Sequence, residues 1–164
     1  MKQITLTQGK VALVDDEDYE SLIVYKWRAQ KDRKNWYAVR TREGTDGKGS
    51  IMMHRQLLNL MDFNAIEVDH IDGDGLNNQR HNLRTSTKSQ NHHNQRTRSD
   101  NTSKLKGVSP YKDRPGLWRA RILINGKRVH IGCYKDPKEA ALAYDEAARK
   151  HFGEFAKTNF SLGE

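Results

Sequence analysis

Short stretches that alternate apolar and polar residues open the chain: QITLT, KVALVD, YKWRAQ and NWYAVRT, separated by turn-rich spacers such as EGTDGKGS. A period of two sends successive side chains to opposite faces, so these runs predict half-buried strands over residues 1–60. IMMHRQLLNLM changes the period and predicts an amphipathic helix. EVDHI then reads as a strand end, DGDGLNN as turn chemistry and HNLR as the start of a returning strand. TSTKSQNHHN enters a helix, with Thr87 and Gln90 at capping-box spacing. Residues 94–104, NQRTRSDNTSK, contain no apolar side chain and read as a linker.

The last segment, residues 105–160, predicts its own register. Asn125-Gly126 between two strand-like runs is a strong hairpin signal, because both turn residues must adopt positive φ. A two-residue loop then sets Ile124 against Lys127, Leu123 against Arg128, Ile122 against Val129, Arg121 against His130 and Ala120 against Ile131. One face is expected to collect Trp118, Ala120, Ile122, Ile124, Val129, Ile131 and Cys133. The other collects Arg119, Arg121, Leu123, Arg128 and His130. DPKEAALAYDEAARKHFG supplies a helix to cover the apolar face: Asp136 as N-cap, Pro137 at the first helical position, Glu139 at capping-box spacing and Gly153 at the end. Its alanines allow close approach to a sheet. Trp118 is assigned to the core, and Cys133 to a small apolar filler on the same face.

Composition narrows the class. The 164 residues are 35% hydrophobic and 30% charged, which describes a soluble protein of one ordinary domain or two small ones. No apolar run is long enough to span a bilayer, and the first residues carry no signal-peptide core. A single cysteine excludes an intrachain disulfide framework and a Cys-rich zinc finger, and fits a reducing cytoplasm. The net charge of +8 is uneven: residues 101–164 carry 13 basic and 7 acidic side chains, whereas residues 1–67 carry 11 and 10. Between Lys104 and Lys135 nine Lys/Arg meet one acid, Asp113. Such an excess, gathered on one sheet face, suits nucleic acid. Arg119, Arg121, Arg128 and His130 on the sheet, Lys112 and Arg114 before it, and Arg96 and Arg98 in the linker are the candidate DNA contacts.

The middle of the chain carries different chemistry. Asp69 carboxylate and Asn91 amide oxygen are hard ligands for a divalent cation. A neutral imidazole at His70 can take a proton from an attacking water. Being adjacent on a strand, Asp69 and His70 point to opposite sides and can serve different partners. His92 and His93 rival Asn91 as ligand. Asp72 and Asp74 belong to a Gly-rich turn and read as turn formers. His54 reads equally as a phosphate contact or supporting residue and as a packed, hydrogen-bonded histidine.

VDHIDGDGLNNQRHNLRTSTKSQN resembles the HNH endonuclease motif, the ββα-metal fold, with the motif positions on His70, Asn82 and Asn91. This HNN variant is similar to phage and intron homing endonucleases, and TLTQGKVALVDDEDYE and MHRQLL also look like the N-terminal part of phage HNH proteins. The resemblance implies His70 as general base. Asp69 and Asn91 would ligate a single Mg²⁺ or Mn²⁺, and Asn82, beside His70 in the catalytic motif, would brace the hairpin loop. Its expected products carry a 5′-phosphate and a 3′-hydroxyl. No zinc is expected. KGVSPYKDRPGLWRARILINGKRVHIGCYKDPKEAALAYDEAARKHFGEFAKTNF resembles the Apetala-type (ethylene-response-factor) DNA-binding domain through Gly107-Val108, Trp118, Gly132, EAALAYDEAA, Gly153 and Asn159-Phe160. That resemblance implies a three-stranded antiparallel sheet packed on one helix, reading DNA through the sheet. Plant members usually have Trp where His130 stands and Glu where Arg121 stands, so a base preference does not carry over.

The expectation is therefore an α+β chain: a ββα-metal nuclease module with an N-terminal β-rich extension over residues 1–93, a linker over 94–104, and an Apetala-type domain over 105–164. The expected function is a metal-dependent, site-directed endonuclease of homing type acting on double-stranded DNA. It needs no membrane or small-molecule cofactor, and a monomer suffices. The expected setting is a bacterial host cytoplasm, the gene being carried by a phage or an intron. A DNA-binding regulator with an inactive nuclease fold is the alternative, and RNA binding by the basic sheet a third reading.

Overall fold

In the computed structural model, which describes residues 1–44, 49–61, 66–95, 97 and 101–160, the chain divides into two units, Met1–Asn91 and His92–Glu164. The architecture is mixed α/β, with small antiparallel sheets and four helices among the described residues. No helix among them is long and apolar enough to cross a membrane.

The first unit starts with a hairpin, β1 (Lys2–Thr5) on β2 (Val11–Val14), in which Ile4 opposes Ala12. Ile4, Ala12 and Val14 are buried on one side, as the alternation requires. α1 (Asp16–Ile23) follows, an element the strand-rich reading of this region did not contain. Its first turn holds Asp16, Glu17 and Asp18, favourable against the helix N-terminus, and only Asp18 and Leu22 are buried. β3 (Arg28–Asp32), β4 (Asn35–Thr41) and β5 (Ser50–Met52) form one sheet with β4 central. The predicted strand YKWRAQ thus begins later, at Arg28. Trp27 instead enters the core and donates its indole N–H to the Leu22 carbonyl at 2.8 Å. The helix expected over IMMHRQLLNLM is also shorter. Its first residues pair with β4 as β5, and α2 spans only Met53–Leu57. Two further strands, β6 (Glu67–His70) and β7 (Leu83–Ser86), pair antiparallel, with Asp69 opposite Arg84 and His70 opposite Leu83. α3 (Lys88–Asn94) follows, its start closed by the expected box: Thr87 N–H donates to Gln90 Oε1 at 2.9 Å and Gln90 N–H to Thr87 Oγ1 at 3.3 Å. The core of this unit joins Ile4, Val14, Leu22, Trp27, Met53, Leu57, Val68 and Leu83.

In the second unit β8 (Val108–Pro110), β9 (Trp118–Ile124) and β10 (Lys127–Tyr134) form a sheet with β9 central, and α4 (Pro137–Phe152) covers it. Asn125 and Gly126 take φ of 51° and 76°, and the register runs as predicted from Ile124–Lys127 to Arg121–His130. There it breaks. Ala120 opposes Gly132 rather than Ile131, because β10 carries one extra residue as a β-bulge. Ile131 still packs against the apolar core, but beyond the bulge the alternation of β10 is inverted. Cys133 opposes Arg119 and so belongs to the basic face; its assignment as an apolar filler is corrected. Trp118 packs against the core as expected. α4 is capped by Asp136 Oδ1, which accepts from Lys138 N–H at 2.8 Å, and ends at Gly153 with φ of 54°. Ala140, Ala141 and Ala148 are fully buried against the sheet. Gly107, at φ 75°, lies against the Tyr144 ring where a Cβ would collide.

Candidate active site

The polar loop between β6 and β7 is held by a dense set of bonds. Asn82 is 4% exposed, and its side chain closes the loop: Nδ2 donates to Asp72 Oδ1 at 3.0 Å and to Asn77 O at 2.8 Å, while Oδ1 accepts from Asp72 N–H at 3.0 Å. Asp72 Oδ1 and Asp74 Oδ1 accept from the N–H two residues on, of Asp74 and Leu76, which is Asx-turn chemistry. The rest of the first unit then clamps this loop. Leu13 on β2 exchanges backbone bonds with Leu76 and Asn78, and Asn35 at the head of β4 bonds Gly73 O and Gly75 N. Asp15 accepts from Arg80 N–H and Gln79 Nε2, and Asp18 pairs with the Arg80 guanidinium through both oxygens. Gly75 must be glycine, since a Cβ there would run into Trp36 O and the Tyr37 ring.

β6 sorts the candidate residues by alternation. Glu67 and Asp69 share one face, with Asp69 only 4% exposed. Arg84, opposite in the register, donates from Nε at 2.9 Å and Nη2 at 2.7 Å to Asp69 Oδ2. Asn91, one turn into α3, donates Nδ2 to Glu67 Oε2 at 2.6 Å. α3 therefore brings Asn91 to the strand that carries Asp69, with the amide nitrogen donating to Glu67. Of the two rivals, His92 is exposed. His93 stacks on Phe152 at 3.7 Å between centroids, and its carbonyl and that of Gln95 accept from Lys106 Nζ.

His70 lies on the opposite face, 5% exposed, in a cluster with Tyr37 of β4 and His54 of α2. The His54 ring meets that of His70 edge to face at 5.0 Å and 87°, and Tyr37 stands 6.0 Å from His70. Burial pushes the His70 imidazole below its ordinary pKa, while the neighbouring Asn78 side chain and the charges of Asp72, Asp69 and Asp74 pull it back up. It is neutral at pH 7. Burial, with smaller contributions from His70 and Arg55, holds His54 down at about 3. Tyr37 is pushed above its usual value, chiefly by burial. His54 is thus a buried ring packed edge to face on His70.

In the second unit Arg119, Arg121, Leu123, Arg128, His130 and Cys133 share the sheet face turned away from α4. Partial burial, together with Arg119 and Arg128, holds the Arg121 guanidinium below the ordinary arginine value. Arg119 and Arg114 both face the Tyr111 ring, at 4.9 and 5.8 Å, so the loop before β9 adds Arg114 to this cationic group. Lys112 is exposed in the same loop. The Cys133 thiol lies 3.7 Å from His130 Nε2. Arg96 and Arg98 lie outside the described residues.

Sequence reading missed Arg84, Glu67, Tyr37 and Asn78. A long loop does not transmit a register as a two-residue turn does, so nothing local set Arg84 against Asp69. Tyr37 reaches His70 through the packing of β4 on the motif, which a strand pattern does not encode. Glu67 alone carried a signal, two residues before Asp69 and so on the same strand face.

The HNH endonuclease family model matches residues 64–93, the span holding all of these motif residues. The chain is 31% identical over 156 residues to an uncharacterized HNH endonuclease of Acanthamoeba polyphaga mimivirus, covering 93% of this chain and 76% of that protein. It is 37% identical over 90 residues to Protein 3.8 of Escherichia phage T7, covering 55% of this chain and 73% of that protein. A second likeness falls on 59 residues, 42% identical to an AP2/ERF and B3 domain-containing transcription repressor of Arabidopsis thaliana. It spans 36% of this chain but only 16% of the plant protein.

Proposed function

We propose, from the premise that this chain belongs to the HNH endonuclease family, that it is a metal-dependent, site-directed endonuclease of homing type that cleaves double-stranded DNA. The observation that carries this reading is the division of labour on β6: a buried, neutral His70 on one face, and Asp69 with the α3-borne Asn91 on the other. The β6–β7–α3 unit serves as the ββα-metal module of such an enzyme. Among the described residues no three His, Cys, Asp or Glu are grouped to hold a metal, so the candidate centre is one carboxylate and one amide oxygen. That donor set fits Mg²⁺ or Mn²⁺, which accept hard oxygens and leave most of their shell to water and phosphate. Bound by Asp69 and Asn91, the ion would supply Lewis-acid polarisation of the scissile phosphate.

The protein's own residues supply the rest. His70 accepts the proton of the attacking water as the water oxygen bonds to phosphorus and the bond to the 3′ oxygen breaks, leaving a 5′-phosphate and, with a proton from solvent, a 3′-hydroxyl. Tyr37 and His54 wall the imidazole and fix its plane. Asn82 fixes the loop that follows His70 and takes no proton. The basic sheet binds duplex DNA, with Arg119, Arg121, Arg128 and His130 toward the groove and Lys112 and Arg114 toward phosphates, as the likeness to AP2/ERF factors supports.

Supercoiled plasmid carrying the target, incubated with Mg²⁺ and then with EDTA, tests this. Nicking or linearisation that needs the metal and disappears in His70→Ala supports the enzyme. Tight duplex binding with no cleavage under any divalent ion would leave the second reading, a DNA-binding regulator with an inactive nuclease fold. One observation favours that second reading: Asp69 is already engaged by the Arg84 guanidinium.

A further inference from the structure

The Arg84–Asp69 pair is unusual in its place and its form. Asp69 is the residue read above as ligand of a divalent cation, yet a permanent cation sits on it, both side chains being mostly buried at 12% and 5% exposure. The same unit contains a second Arg–Asp pair for comparison. Arg80 divides its fork between the two oxygens of Asp18, at 2.9 and 2.6 Å. Arg84 instead gathers Nε and Nη2 on Oδ2 of Asp69. Arg80 is half exposed and ties α1 to the motif loop, a bracing role. Arg84 faces Asp69 across the β6–β7 ladder, so this pair joins two strands that the ladder already holds together. What the guanidinium brings to Asp69 is charge. A buried carboxylate demands a counter-charge, and the Arg84 guanidinium supplies one.

We propose that Arg84 serves as the resident counter-ion of Asp69. It holds the carboxylate in place until a divalent cation takes over, and its guanidinium then turns to an oxygen of the substrate phosphate. This rests on the metal reading of Asp69 given above. A guanidinium and a divalent ion on one carboxylate repel each other, so the arrival of one weakens the hold of the other. The planar fork, once released, matches phosphate geometry as well as carboxylate geometry.

The test uses the full chain in wild type, Arg84→Gln, Arg84→Lys and the Asp69→Asn/Arg84→Gln double variant, first with Mn²⁺ alone as probe and then with duplex DNA. Thermal unfolding is followed in EDTA and in Mn²⁺, and Mn²⁺ affinity is measured by calorimetry. Arg84→Gln is expected to melt below wild type in EDTA, to gain more from Mn²⁺ than wild type does, and to bind Mn²⁺ more tightly by about tenfold. Arg84→Lys, which keeps the charge, stays near wild type in both, and the double variant shows no Mn²⁺ response. In Mn²⁺-supported cleavage Arg84→Gln raises KM for duplex DNA by about tenfold. If Arg84→Gln binds Mn²⁺ no better than a responsive wild type, or its KM is unchanged, the inference falls while the metal reading stands. If Mn²⁺ neither stabilises nor binds wild type and Arg84→Gln, both fall together.

Discussion

Asn82→Ala separates bracing from chemistry more cleanly than any other single change in the motif. The side chain makes three hydrogen bonds, two donated and one accepted, in a site 4% exposed. A net bond between neutral groups contributes about 1 kcal/mol, and one to a carboxylate about 2 kcal/mol. Asp72 is exposed, so both its N–H and its carboxylate regain water when Asn82 is cut back, which recovers part of the loss. The Asn77 carbonyl is less open and recovers less. The expected destabilisation is about 2–4 kcal/mol, read as a shift in the urea midpoint with unchanged slope. Asn82→Asp, of the same shape, presents an acceptor to Asp72 Oδ1 where a donor stood. It should lose at least as much at pH 7 and recover on protonation. Because Ile71 and Gly73 donate to Asn82 O and His70 O, loosening the loop also shifts His70, and single-turnover cleavage should slow in step with the stability loss. A loss under about 1 kcal/mol with wild-type cleavage would refute the bracing role, as would wild-type stability with abolished cleavage.

Two further outcomes follow from the same geometry. His54 is held at about 3, against an ordinary 6.5. The unfolded chain therefore binds a proton there between pH 6.5 and 3 that the folded one does not, and stability falls as pH falls through that window. From pH 7 to 5 wild type should lose about 2 kcal/mol more than His54→Leu in urea unfolding, and equal losses would refute the buried, uncharged assignment. On the basic sheet, Arg119→Ala or Arg121→Ala should weaken duplex binding by about 1–3 kcal/mol in a titration at fixed salt. Unchanged affinity in both would remove this face from the DNA interface.

What the sequence determined alone is what short-range physics encodes. The Asn125-Gly126 turn admits positive φ at both positions, so the hairpin register could be counted outward from it, and it holds as far as Arg121–His130. Asp136, Thr87 and Gln90 cap helices through bonds to neighbours two or three residues away, and all were legible. The bracing role of Asn82 came only with the resemblance to the HNH motif, although its partners Asp72 and Asn77 lie within ten residues. The extra residue at Ile131–Gly132 was not legible. A bulge is favoured by what the strand packs on, not by the strand's own alternation, and it moved Cys133 to the basic face. Acid-rich α1 shows little periodicity because its exposed side needs none, and it forms by laying Leu22 into the core. The site divides in the same way. Asp69, His70 and Asn91 stood out by residue type and spacing. The Tyr37–His54–His70 cluster, the Glu67 hold on Asn91 and the Arg84 hold on Asp69 join residues 15 to 33 positions apart. Only the folded chain brings such residues into contact, because the free energy that does so comes from burying β4, α2 and the motif against one another and not from any local preference.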